Sequence, residues 1–148
     1  MLRQLFLPCI CLTALGLICS PLSQALSKGN LIIAIEGIAP EGEICLSLFA
    51  SSRGFPGERS QALQADCIDV SDPMITFTDL TPGSYAVAVF QDENGDRTLN
   101  RNGLGMPIER FGFSQNPQII AGPPRFGEAA IVVVGPATSI QIQLQSLF

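Results

Sequence analysis

The run Ser84–Gln91, SYAVAVFQ, opens the longer stretch Gly83–Ser114, GSYAVAVFQDENGDRTLNRNGLGMPIERFGFS. Side chains alternate sides along an extended chain, so Tyr85, Val87 and Val89 fall on one face and Ala86, Ala88 and Phe90 on the other. Both faces are apolar, which places this strand in the middle of a sheet with material packed on either side. An acidic turn, Asp92–Asn100, follows it, and then a return loop rich in Gly, Pro and Phe.

Outward from this strand, other segments read the same way. Leu31–Glu36 is short, β-branched and apolar on both faces, the pattern of a core strand. Ile44–Ala50 alternates, with Ile44, Leu46, Leu48 and Ala50 opposite Cys45, Ser47 and Phe49, and reads as a half-buried strand. Ser51–Ser60 is a loop whose Phe55 covers a core edge. Residues 61–71 carry both a short helical and a strand pattern, and the strand at Cys67–Val70 is favoured. Ile75–Thr78 alternates, and Leu80-Thr81-Pro82-Gly83 reads as a tight turn. Beyond Pro124, Glu128–Val134 (EAAIVVV) reads as a doubly apolar strand, and Ser139–Leu147 alternates with Ile140, Ile142 and Leu144 inward. About seven short strands with turn signals between them and no amphipathic helix predict an all-β chain, a single antiparallel β-sandwich.

At 148 residues, with 47% hydrophobic and 14% charged side chains, the chain has room for one folded domain. Its first 25 residues read as a targeting segment: a positive start at Met1–Gln4, an apolar run at Leu5–Ile18, and a small-x-small cleavage signal at Ser23-Gln24-Ala25. Residues 1–25 are therefore expected to be a signal peptide and residues 26–148 an exported domain, periplasmic or extracellular. Lipidation at Cys19 is disfavoured by Ile18 before it. A membrane anchor is disfavoured because the run falls short of the roughly 18–20 apolar residues a span needs. Removing the segment takes away Arg3 alone among the charged residues and leaves a net charge of −6. An acidic chain without a basic cluster argues against nucleic acid as a partner.

Of five cysteines, Cys45 and Cys67 remain after the signal, and a pair in an exported chain favours a disulfide. Two buried thiols are the competing reading. Zinc is poorly served, because the chain has no histidine.

Two candidate sites lie in the return region. In the acidic turn, Asp92, Asn94, Asp96, Thr98 and Asn100 bear oxygens at alternate positions and can converge on a hard cation, which makes them candidate Ca²⁺ ligands. The spacing resembles the start of an EF-hand loop but departs from it, with Gly95 early, Arg97 where the turn Gly belongs and Gly103 where the bidentate Glu belongs. The plainer reading is a hairpin with a type I′ turn at Asn94-Gly95. The second candidate is the long loop Gly103–Phe126, where exposed Phe111, Phe113 and Phe126 beside Glu109 and Arg110 are expected to line a groove for a protein, glycan or apolar ligand, or else to close one end of the sandwich. The absence of histidine excludes Ser-His-Asp and Cys-His chemistry. A paired-carboxylate mechanism through Asp92 and Glu109 remains as the enzymatic alternative, a hydrolase acting on envelope polymers.

Tyr85–Phe90 followed by Asp92-Glu93-Asn94, Leu99-Asn100, Gly105-Met106-Pro107, Glu109 and Phe111-Gly112-Phe113-Ser114 resembles a family of exported bacterial proteins catalogued as domain of unknown function 2141. Gly54-Phe55, the Leu80–Gly83 turn, and Pro123-Pro124 with Phe126 fit the same pattern, so the resemblance covers most of the mature chain. It supports export and the sandwich, which is expected to be immunoglobulin-like or prealbumin-like, and assigns no activity. Many members of the family carry a histidine just before the Asp-Glu-Asn; this chain has Gln91. The expected molecule is a non-catalytic, exported binding or structural module, stapled by Cys45 and Cys67, with a loop face at Asp92–Phe126 that binds a protein, glycan or envelope component or stabilises itself with Ca²⁺.

Overall fold

A computed structural model describes residues 27–148; the signal-peptide reading of residues 1–25 and its cleavage point lie outside them. The described chain is all-β, with eight strands in two sheets. In order they are β1 (Gly29–Glu36), β2 (Glu43–Phe49), β3 (Gln64–Asp69), β4 (Met74–Leu80), β5 (Gly83–Asp92), β6 (Phe111–Phe113), β7 (Ile131–Val133) and β8 (Ala137–Gln143), with a short helix α1 (Phe126–Ala129) before β7. One sheet has the order β4-β1-β8, the other β3-β2-β5-β6, and β7 pairs the start of β5.

β5 is central, as its two apolar faces require: β2 runs along one edge, and β6 and β7 share the other. Its core-facing Tyr85, Val87 and Val89 join Ile44, Leu46 and Leu48 of β2 and meet Leu31, Ile33 and Ile35 of β1, Phe77 of β4 and Ile142 of β8 in one hydrophobic cluster drawn from both sheets. Full burial of each such side chain stabilises by about 1.5–3 kcal/mol. The opposite face of β5 is covered as well. Ala86, Phe111, Phe113 and Ala129 form a second cluster, with Phe55, Phe90, Leu99 and Phe126 packed against it.

Four expectations are corrected. The sheets are not wholly antiparallel, because β1 and β8 pair in parallel from Asn30↔Ala137 to Glu36↔Gln143. An eighth strand, β6, lies within the stretch read as loop. β2 is buried on both faces rather than one, since Phe55 packs edge-on against Phe49 at 5.4 Å and the disulfide lies on the same side. Glu128–Val134 is not a doubly apolar strand: its start is α1, where the Arg125 backbone N–H donates to the Glu128 carboxylate (2.6 Å), and only Ile131–Val133 pairs as a strand, with Val132 exposed.

The Cys45–Cys67 disulfide joins directly opposed residues of β2 and β3, S–S 2.07 Å. After β8, Leu144 N still donates to Glu36 O (2.8 Å), but Gln145 exchanges both backbone bonds with Phe111 (2.8 and 3.0 Å), so the chain end leaves the first sheet and borders the second. The crossing is tight at Gly112, where an added Cβ would stand 2.8 Å from Gln143 O. Asn116 closes the outer edge of β8 in the manner of a strand, accepting from Gln143 N (2.8 Å) and donating to Gln141 O (3.1 Å).

Candidate functional site

At the end of β5 the chain must leave the sheet without stranding its backbone donors, and two carboxylates meet that need. Asp92, fully buried, accepts from Gly95 N (2.8 Å) with Oδ1 and from Arg97 N (2.7 Å) with Oδ2. Glu109, also buried, accepts from Glu93 N (3.1 Å) and Asn100 N (2.8 Å), one oxygen to each end of the turn. Both acids thus act as internal supports of the loop.

Above them the exposed members of the turn meet one another. Asn94 Oδ1 accepts from Asp96 N (3.0 Å), and Asp96 Oδ1 accepts from Thr98 N (2.8 Å). Asp96 Oδ2 receives the amides of Asn94 (3.2 Å) and Asn100 (2.9 Å). These donors, the Asn100 amide first and the Thr98 backbone N–H next, hold the Asp96 carboxyl below its ordinary value of 3.8. Thr98 Oγ1 turns to Asp96 O (3.4 Å). Of the five oxygen-bearing residues, Asn94, Asp96 and Asn100 converge, and Asp92 lies beneath with both oxygens committed to backbone.

The three carboxylates Asp92, Asp96 and Glu109 do not gather within 4.8 Å of each other. Among the described residues the group that does is Glu43, Cys45 and Cys67, and its two sulfurs are bonded to each other. The type I′ hairpin at Asn94-Gly95 is not formed either: positive φ falls at Gly95 (78°) and Arg97 (58°), not at Asn94, because Asp92 draws both following N–H groups inward.

The phenylalanines do not line an exposed groove. Phe111 and Phe113 are 4% and 7% exposed, since β6 pairs with β5 and turns both rings onto the sheet's outer face. Phe55 is the hub there, edge-on to Phe113 (6.1 Å) and to Phe126 (5.9 Å), with Phe126 half-buried. Ser114 fastens this cover, accepting from Val87 N (2.8 Å) and donating to Ala129 O. Arg110 donates to Gly37 O (3.2 Å).

The segment between the acids, most of which belongs to the loop the sequence reading named as its second candidate, stands out into solvent through aliphatic side chains that reading did not single out. Residues 100–108 fold back on themselves: Ile108 N donates to Asn100 O (3.0 Å), Asn102 N to Met106 O (2.9 Å) and Gly105 N to Asn102 O (2.9 Å). Asn102 Oδ1 accepts from Leu104 N (3.0 Å) and Met106 N (3.1 Å), and Arg101 Nη1 donates to Gly105 O (2.9 Å). On this small hairpin Leu104 is 83% exposed, Ile108 53% and Met106 37%. The signal was present as Leu, Met and Ile among the glycines of that loop, but the sequence reading rested on its phenylalanines.

Gln91 is also accounted for. It is fully buried, accepts from Ala39 N (2.8 Å) and donates to Ala39 O (2.9 Å) and Glu41 O (2.6 Å), so it ties down the β1–β2 connection.

A two-sheet all-β domain with one loop end braced by buried acids is the class these features define. The chain belongs to the family described as uncharacterized protein conserved in bacteria, domain of unknown function 2141, whose model matches residues 33–141. That span runs from β1 into β8 and takes in the whole loop end. No curated protein and no solved structure matches the chain.

Proposed function

We propose that this chain is an exported, non-catalytic β-sandwich module, immunoglobulin-like or prealbumin-like, that binds a component of the cell envelope through the hairpin at residues 100–108. The observation that carries the reading is the exposure of Leu104, Met106 and Ile108 on a loop whose backbone is closed by its own hydrogen bonds. Large apolar side chains held outward on a braced loop are the expected form of a contact surface. Spending Asp92 and Glu109 on backbone donors supports a non-catalytic role, because each carboxylate already serves two N–H groups. The hydrolase alternative would require turnover that disappears in Asp92→Asn or Glu109→Gln.

The test is a photoreactive side chain at position 104 in protein mixed with envelope fractions, with position 76 on β4 as control. A discrete adduct from 104 and none from 76 is expected; no adduct from 104 refutes the reading.

A second reading places Ca²⁺ at the acidic turn, favoured by the meeting of Asn94, Asp96 and Asn100. Rotating the two amides end for end would turn their oxygens toward the Asp96 carboxylate, so that a cation lying between them would meet three oxygen-bearing side chains, at the cost of the bond from Asp96 N to Asn94 Oδ1. Thermal unfolding after chelation, with and without Ca²⁺, decides it. A rise lost in Asp96→Ala supports the ion, with about 2.7 kcal/mol expected at a hundredfold excess over Kd.

A further inference from the structure

We propose that the partner of the 100–108 hairpin is an anionic lipid surface, into whose interface Leu104, Met106 and Ile108 insert; this rests on the reading of that hairpin as the contact. Two obstacles normally keep a loop out of an apolar medium: unsatisfied backbone groups and like charge at the boundary. The hairpin removes the first over most of its tip. The N–H groups of Leu104, Gly105 and Met106, and the carbonyls of Asn102, Gly105 and Met106, all have partners within the loop. Pro107 carries no N–H at all. The side chains that lead are aliphatic and without polar atoms that would need partners.

The second obstacle is removed by where the charges stand. From Arg97 to Ile108 the segment holds two arginines and no Asp or Glu, in a chain whose net charge is −5; Arg97 faces Glu43 (3.9 Å), which leaves Arg101 as the basic side chain of the hairpin. The order of hydrogen bonds places the Asn100–Ile108 pair at the base and Leu104 at the tip, with Arg101 on the facing arm, its guanidinium against Gly105 O. Glu109 lies below that base, buried and internally bonded. An apolar tip with a basic side chain beside it suits lipid headgroups that are negative and acyl chains just beneath them. A protein pocket would take the same aliphatic side chains, but it gives no reason for the acids to be confined to the base.

The chain contains no tryptophan, so Leu104→Trp is a unique fluorescent reporter. Residues 27–148, the described residues, carry the eight strands and both hydrophobic clusters, and this segment is the protein to use. With phosphatidylglycerol/phosphatidylcholine vesicles, the emission of Trp at position 104 is expected to shift to the blue, and that of Trp placed at exposed Met74 to stay unchanged. Arg101→Ala in the Leu104→Trp background should weaken partitioning about fivefold, the equivalent of about 1 kcal/mol per basic residue at an anionic surface. No shift at position 104 with any vesicle overturns the proposal. An equal shift at position 74 overturns it as non-specific adsorption, and a shift without vesicles that grows with protein concentration overturns it in favour of a second copy. If the crosslink from position 104 reaches a protein while vesicles give no shift, the lipid assignment fails and the binding module stands.

Discussion

Two carboxylates at the end of β5 behave in opposite ways although the sequence presents them alike. Asp92 is buried and binds Gly95 N and Arg97 N, whereas Asp96 is exposed and binds Thr98 N and two amides. Asp92→Ala leaves two backbone donors unpaired and should cost about 2–4 kcal/mol, measured by denaturant unfolding; a loss below about 1 kcal/mol would remove Asp92 from its supporting role. Asp96 instead gives a pH signature. Its folded carboxyl is held below 3.8, so its contribution is complete above the ordinary carboxylate range and disappears as pH falls through the folded value. The Thr98 and Asn100 amide resonances should therefore titrate with a midpoint below 3.8, and a midpoint at or above that value would deny the hydrogen bonds. The alternating oxygens of Asp92–Asn100 were legible in the sequence. That one of them would be drawn under the loop was not, because its partners are backbone groups that leave no mark on residue identity.

At the scale of elements, β5 and β1 could be read from short runs apolar on both faces and β8 from its alternation, and the Cys45–Cys67 staple from the two cysteines left beyond the segment read as a signal. β6 could not. Its three residues, Phe-Gly-Phe, are too few to show a period, and their strand conformation depends on pairing with Ala88–Phe90 and on Gln145 along the other edge. Gly112→Ala tests that edge: its Cβ would press on Gln143 O and Ile142, so a loss of about 1–3 kcal/mol is expected by thermal unfolding. The staple closes a sequence separation of 22 residues, and its reduction should lower stability by about 3 kcal/mol, seen as a reduced denaturant midpoint in the presence of a thiol reagent. An unchanged midpoint would show that the pairing of β2 with β3 stands without it.

For the whole molecule, the local pattern predicted the class correctly as all-β and misjudged the direction of one pairing. Parallel contact between β1 and β8 is a relation between the two ends of the described chain, and no window along the sequence contains both. The same contact completes the core, since Ile142 packs with Leu31 and Ile33. A chain stopped before Ala137 should consequently fail to fold cooperatively, checked by circular dichroism melting; a sharp transition would show that the other strands suffice. The pairing also imposes an order in time. Of the strands described, synthesis delivers β1 first and β8 last, so Asn30 waits for Ala137 while the six strands between them are made. Contacts that join distant parts of a chain form slowly, so β1 has to stay without its second neighbour throughout elongation. Until Ala137–Gln143 has been made, the edge of β1 that β8 will cover stays unpaired.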